Sequence, residues 1–197
     1  MKRYILTGTA GAGKTSILQR LTALGYAAIE KAATDVIAHE QTQGVAKPWE
    51  HASFIDAIIT MQKQRQVQAA TTAAAIQLFD RSPICTYALS VYLGRPISPV
   101  LAAEIDRITR EHIYEPQVFF IRNLGFVEPT AARRISFEDS LEFERIHEES
   151  YRAFGYSLID IPAGELNERV AAITRVISRL TPRKQRGQHE SGWHWSN

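Results

Sequence analysis

Gly8-Thr9-Ala10-Gly11-Ala12-Gly13-Lys14-Thr15 is the stretch on which the fold turns. The apolar run Tyr4-Ile5-Leu6 leads into it. Beyond it, apolar residues recur at Ile17, Leu18, Leu21 and Leu24 before Gly25. The first pattern is that of a short buried strand and the second that of a helix, so the eight residues form the loop between them. Glycines at its first, fourth and sixth positions let the backbone curl with N–H groups pointing inward, and the new helix adds the positive end of its dipole. That chemistry suits phosphate. Lys14 is expected to reach the terminal phosphates of a nucleotide and Thr15 to offer its hydroxyl to Mg²⁺. Gly8, Thr9, Ala10, Gly11, Ala12, Gly13, Lys14, Thr15 and Ser16 are therefore the expected nucleotide-binding residues.

Working outward, four more apolar runs read as strands: Tyr26 to Ile29, Ile76 to Phe79, Val118 to Ile121 and Tyr156 to Ile161. Between them lie helical patterns. One runs from about Ala32, one carries Phe54, Ile58 and Met61, and one starts at Pro83. Ser98-Pro99 supplies an N-cap and a first-turn proline for a helix with Leu101, Ile105, Ile108 and His112 on one face, ending near Glu115-Pro116. Ser136 and Asp139 resemble a capping box before Phe143, Ile146 and Phe154, and Leu166, Val170, Ile173, Ile177 and Leu180 mark the last helix. Strands alternating with helices predict an α/β fold: a five-stranded parallel sheet covered on both faces. One nucleotide-binding domain is expected over residues 1–180, with 181–197 a polar tail that contains His189, Trp193, His194 and Trp195.

Composition narrows the setting. With 45% hydrophobic and 22% charged residues, the chain is that of an ordinary globular domain, not a disordered one. The net charge of +2 is that of the tail, where Arg183, Lys184 and Arg186 stand against Glu190, so it is weak evidence for nucleic-acid binding and no nucleic-acid partner is expected. A single cysteine, Cys85, permits no internal disulfide and fits a reducing, cytoplasmic location; packing is its expected role, a reactive thiol the alternative. No apolar run is long enough to predict a membrane span.

Two carboxylates and an arginine extend the site. Glu30 and Asp80 follow predicted strands, and in parallel α/β sheets ligands gather at the carboxyl ends. Asp80 there can hold hydrated Mg²⁺, and Arg81 can clamp a phosphate; a helix-capping aspartate beside a surface arginine is the alternative. Asp80-Arg81-Ser82 after the third strand resembles the Glu-Arg-Ser of deoxynucleoside kinases and the Asp-Arg-Tyr of thymidylate kinases. Both families also carry a glutamate after the second strand, where this chain has Glu30. The resemblance implies that Glu30 is the base toward the hydroxyl being phosphorylated; the proline that follows it in those families is Lys31 here. The stretches Glu30-Lys31-Ala32-Ala33 and Phe79-Asp80-Arg81-Ser82-Pro83 are most similar to small AAA-type ATPase domains related to the ribosylnicotinamide kinase module and to the Ttd14 GTP-binding proteins.

In small-molecule kinases an arginine lid follows the fourth strand, and the resemblance assigns that role to Arg122, Arg133 and Arg134. It also assigns adenine contacts to the segment from Pro162 to Glu165, and the acceptor to the space between Glu30 and the helix of Phe54 and Gln62, although Phe54 also fits the core. His51, His112 and His147 have no partner at a catalytic or metal spacing and are read as structural or surface groups. The leading expectation is an ATP- or GTP-dependent, magnesium-requiring phosphotransferase acting on a nucleoside, nucleotide or similar small molecule, with a homodimer left open. The alternative is a nucleotide-dependent switch without an acceptor. A guanine-reading Asn/Thr-Lys-x-Asp motif is missing, and Asp80 is followed by Arg81 instead of the glutamate of a hydrolytic motor.

Overall fold

Five parallel strands, β1 (Lys2–Thr7), β2 (Ala27–Ile29), β3 (Ile76–Asp80), β4 (Gln117–Ile121) and β5 (Ser157–Ile161), make one sheet in the order β2-β3-β1-β4-β5. The computed structural model describes residues 1–9, 11–125 and 136–181. Ala10, Arg133, Arg134 and the tail from Pro182 lie outside the described residues. The helices are α1 (Lys14–Ala23), α2 (Ala32–Thr42), α3 (Phe54–Ala69), α4 (Pro83–Tyr92), α5 (Pro99–Arg110), α6 (Phe137–Ala153) and α7 (Leu166–Leu180), with a 3₁₀ turn at Pro48–Glu50.

Side chains alternate across a strand, so each strand feeds two cores. Tyr4 and Leu6 of β1 join Leu78, Phe119 and Ile161 on one face, covered by Ile17 and Leu21 of α1 and Ile173 and Ile177 of α7. Ile5, Phe79 and Val118 face the other way onto Ile55 and Ile59 of α3, Ile84 of α4 and Leu101 and Ile105 of α5. A third cluster, Val36, Phe54 and Ile58, docks α2 on α3. Burial on both faces explains why the strands read as continuous apolar runs.

Two expected caps are formed: the hydroxyls of Ser98 and Ser136 accept from the backbone N–H of Leu101 at 3.1 Å and of Asp139 at 3.0 Å. Each is worth about 1 kcal/mol. One boundary differs from expectation. Helix α5 ends at Arg110, and His112 adopts φ 47°. The N–H of Ile113 reaches back to the carbonyl of Ile108 at 3.0 Å, which is the closure of a Schellman motif with His112 in the left-handed position usually held by glycine. His112 thus leaves the apolar stripe, and Tyr114 folds in to meet Phe79 edge-on at 5.1 Å.

Strand β1 lies between β3 and β4, and the connection from β3 to β4 crosses over it. That reversal opens the crevice at the carboxyl ends of the strands, where the glycine loop begins.

Candidate functional site

The glycine loop leaves β1 hard against the end of β4. A Cβ on Gly8 would stand 2.2 Å from the carbonyl oxygen of Ile121, and Gly8 has φ 128°. Only glycine fits both conditions. Gly11 and Gly13 also have positive φ, and the side chains of Thr9 and Ala12 are buried, anchoring the loop from within. Thr9 keeps a buried hydroxyl oxygen with no partner among the described residues. Gly13 is the N-cap of helix α1 and provides no side-chain cap, so among the described residues no side chain competes with an anion for its first N–H groups.

Lys14 folds back over the loop and donates to the carbonyls of Gly8 at 3.0 Å and Thr9 at 2.5 Å. Burial, and then the nearby charge of Arg81, hold its ammonium down to about 7. Two neutral carbonyls offset only part of the cost of burying a cation; an anionic phosphate would offset more. Thr15 and Ser16 are exposed beside it on the first turn of α1.

Asp80 ends β3 in register with Leu6 of β1. Its carboxylate is nearly buried, and Oδ1 has no hydrogen-bond partner among the described residues. The capping alternative fails, because Ser82 occupies the N-cap of α4 and Asp80 belongs to the strand. Arg81 continues the β1–β3 pairing through its N–H to Leu6 O at 3.0 Å, at φ 77°. A left-handed arginine is strained by about 1–3 kcal/mol, a cost tolerated where it aims a functional group. Its guanidinium meets His147 Nε2 at 3.4 Å, while His147 Nδ1 lies 2.8 Å from the carbonyl of Phe143. The second contact puts the proton on Nδ1 and leaves Nε2 as the acceptor for Arg81. Burial, reinforced by Arg81, pushes His147 down to about 3, so it is a neutral group that orients Arg81. Its position in the site was not legible in the sequence.

No cluster of three metal-ligating side chains exists among the described residues. An oxygen pair suits a nucleotide-borne Mg²⁺, which takes most of its ligands from phosphate and water, and the orphaned Oδ1 of Asp80 with the hydroxyl of Thr15 fits that need.

Beside the loop opens a cavity of about 420 Å³. Trp49, Phe54 and Phe143 give it aromatic walls, Gln62 and Thr86 supply polar groups, and Lys31 and Arg81 supply charge. Phe54 is therefore both core and cavity wall. Gln62 accepts from the Thr86 hydroxyl at 3.1 Å. Glu30 is exposed and lines a small adjoining recess with Asp80 and Arg81; Gln62 and Arg81 border both spaces. Arg65 fixes this corner by donating to Glu30 O at 2.9 Å and pairing with Asp35. Cys85 is buried on the cavity wall, its sulfur 3.0 Å from both the Thr7 and Tyr151 hydroxyls, in keeping with a packing role.

Arg122 corrects an expectation. It pairs with Glu144 at 2.9 Å, with Asp160 at 2.7 Å and with Glu148, and stacks over Phe120. Three carboxylates hold it as a brace between β4, β5 and α6, so it is not a lid arginine. An unforeseen cation, Arg169 of α7, lies against the loop: Nη1 would be 3.1 Å from a Cβ on Gly13, and Nη2 donates to Arg122 O at 2.9 Å. Its Nε is buried without a partner among the described residues. The available signal was its place at i+3 from Leu166 on an otherwise apolar stripe. The segment from Pro162 to Glu165 is exposed after β5.

The same architecture occurs in solved structures of low sequence identity. Deoxyadenosine kinase from M. mycoides, with products dCMP and dCDP, superposes with a TM-score of 0.59 at 16% identity, over 90% of this chain and 99% of that one. NadR protein in complex with NAD and AMP-PNP gives 0.63 at 18% identity, over 89% of this chain and 48% of the other. Shikimate kinase from Acinetobacter baumannii in complex with shikimate gives 0.55 at 14% identity, over 93% and 96%. These likenesses establish the P-loop kinase fold. No curated protein matches the chain in sequence. A family model described as an AAA domain matches residues 3–169, from the first strand to the arginine that touches the phosphate loop, and the chain belongs to that family.

Proposed function

We propose that this protein transfers the terminal phosphoryl group of ATP or GTP to a small molecule bearing a hydroxyl or phosphate. The observation that carries this reading is the cavity of about 420 Å³ that opens onto Arg81 beside the phosphate loop, within the size range of small-molecule sites. A nucleotide switch needs the loop but has no use for a second, preformed chamber next to it.

In this reading, the N–H groups of the loop and of α1 hold the donor's phosphates, and Lys14 exchanges its two carbonyl partners for phosphate oxygens. Thr15 and Asp80 would hold Mg²⁺, which when bound supplies charge neutralisation across the terminal phosphates. Arg81, steadied by His147, stabilises charge on the group in transit, and Arg133 and Arg134 remain sequence candidates for the same work. Glu30 accepts the acceptor's proton as the hydroxyl oxygen bonds to phosphorus; the bond to the leaving oxygen breaks and the nucleoside diphosphate departs. The solved kinases named above, one holding shikimate and another the product dCMP, support a fold that serves small-molecule phosphorylation.

Two variants test the reading. Lys14→Ala is expected to weaken nucleotide binding at least tenfold by calorimetry. Glu30→Gln is expected to bind ATP normally yet lose 10²–10⁴-fold of acceptor-stimulated ADP release, the range general bases contribute. Unchanged turnover in Glu30→Gln would remove it from the mechanism.

A further inference from the structure

We infer that Arg169 belongs to the donor site: its guanidinium is a fixed positive charge beside the sixth residue of the glycine loop, kept there to hold the nucleotide's phosphates and not to brace the fold. This rests on the nucleotide-binding part of the reading above and needs no acceptor.

Lys14 and Arg169 are the two buried cations among the described residues, 7% and 4% exposed, and both lie against the glycine loop. Neither forms an ion pair with a carboxylate among the described residues; each meets backbone carbonyls instead. More exposed cations of this protein do find acids: Arg107 pairs with Glu104 at 2.7 Å, and Arg122 with Glu144, Glu148 and Asp160. Around Arg169 the chain supplies little. Nη2 donates to Arg122 O at 2.9 Å, Nε is buried without a partner among the described residues, and Nη1 faces Gly13, where a Cβ would come within 3.1 Å. The acids nearest in sequence, Glu165 and Glu168, are exposed. Burial pushes the guanidinium below the ordinary arginine value, and no acid opposes the shift.

Burying a cation without an acid is costly, and a neutral side chain of the same reach would fill the space beside Val170 and Ile173 without that cost. Packing therefore does not account for the charge. Its place does. Gly13 is the N-cap of α1, where the N–H groups carry the positive end of the helix dipole, and a guanidinium beside it strengthens the same field for an anion bound there. Arg169 is also on the donor's side of the loop. Arg81 leaves β3 on one side of β1, whereas Arg169 is tied through Arg122 O to the end of β4 on the other. The walls of the cavity and of its adjoining recess do not include Arg169, so its charge serves the loop and not the acceptor space.

The test compares the wild type, Arg169→Met and Arg169→Lys by calorimetric affinity for adenosine, AMP, ADP and ATP, with the guanosine series alongside. Thermal melts are taken of each protein alone and with saturating nucleotide. Arg169→Met matches the reach without the charge, and alone it should melt at or above the wild type. Its affinity for the triphosphate should fall on the order of tenfold, the scale of one charge-assisted contact, with smaller losses for di- and monophosphate and none for the nucleoside. Arg169→Lys keeps the charge but cannot span Gly13 and Arg122 O together, and should retain most of the triphosphate affinity. A Met variant that unfolds, or that melts well below the wild type yet gains as much from nucleotide, would make Arg169 a structural brace and overturn the inference. An equal loss for nucleoside and triphosphate, or a Lys variant as weak as the Met variant, would overturn it too. Unchanged affinity in Arg169→Met beside the expected loss in Lys14→Ala would sink this inference alone; a wild type that binds no nucleotide would sink the donor reading with it.

Discussion

Lys14 carries the proposed donor chemistry. Its ammonium, held near 7, loses its proton in the folded protein well below the ordinary lysine value of 10.5. Between those values the unfolded chain binds more protons than the folded one, so this group's contribution to stability rises with pH over that window. Bound phosphates favour the ammonium and reverse the shift. Nucleotide binding at pH 8 should therefore take up most of one proton, measured by calorimetry in buffers of different ionisation enthalpy. Affinity should fall toward tenfold per pH unit above 7, and proton-neutral binding at pH 8 would show that Lys14 does not meet the phosphates. His147 gives a second prediction. His147→Phe keeps a buried ring but removes the acceptor for Arg81, and should lower phosphoryl transfer about tenfold or more with donor affinity little changed. Because His147 stays neutral down to about 3, the wild type should also lose stability between pH 6.5 and 3 through a component the variant lacks, seen in paired acid melts.

Among the elements, the junction of β1, β4 and α1 leaves no room for change at Gly8. Gly8→Ala should destabilise the fold by several kcal/mol, read from urea melts, because the new methyl collides with the Ile121 carbonyl in a backbone conformation that alanine avoids. Away from the site, Glu104 is buried between α3 and α5, held by Arg107 and 3.8 Å from Lys63. Glu104→Ala should cost about 3 kcal/mol by leaving Arg107 without its closest acid. The glycine loop and the strands were legible in the sequence because their signals are local: a fixed spacing, or an apolar run buried on both faces. Asp80 and Arg81 were legible because a strand end fixes their side of the sheet. His147 was not, since its meaning lies in Arg81, 66 residues away in sequence. Arg122 misled for the same reason. An arginine after β4 invites a phosphate role until α6 and β5 bring three carboxylates around it.

At the scale of the molecule, the crossover that reverses direction about β1 brings the glycine loop, Asp80-Arg81 and Glu30 to one end of the sheet. The strand, glycine loop and helix proposed to hold the donor come from β1 and α1 alone and were readable from a single motif. The cavity beside Arg81 is enclosed by α2, the Pro48–Glu50 turn, α3, α4 and α6, so its shape emerged only when distant segments were assembled. No described helix is long and apolar enough to cross a membrane. The central claim is that the protein moves a phosphoryl group between two bound molecules. Incubation with ATP carrying a labelled γ-phosphate and a library of nucleosides, nucleotides and hydroxy acids tests it, with the label's destination read by mass spectrometry. The account predicts label on an organic acceptor, abolished by Lys14→Ala; label recovered only as inorganic phosphate, whatever acceptor is offered, would contradict it.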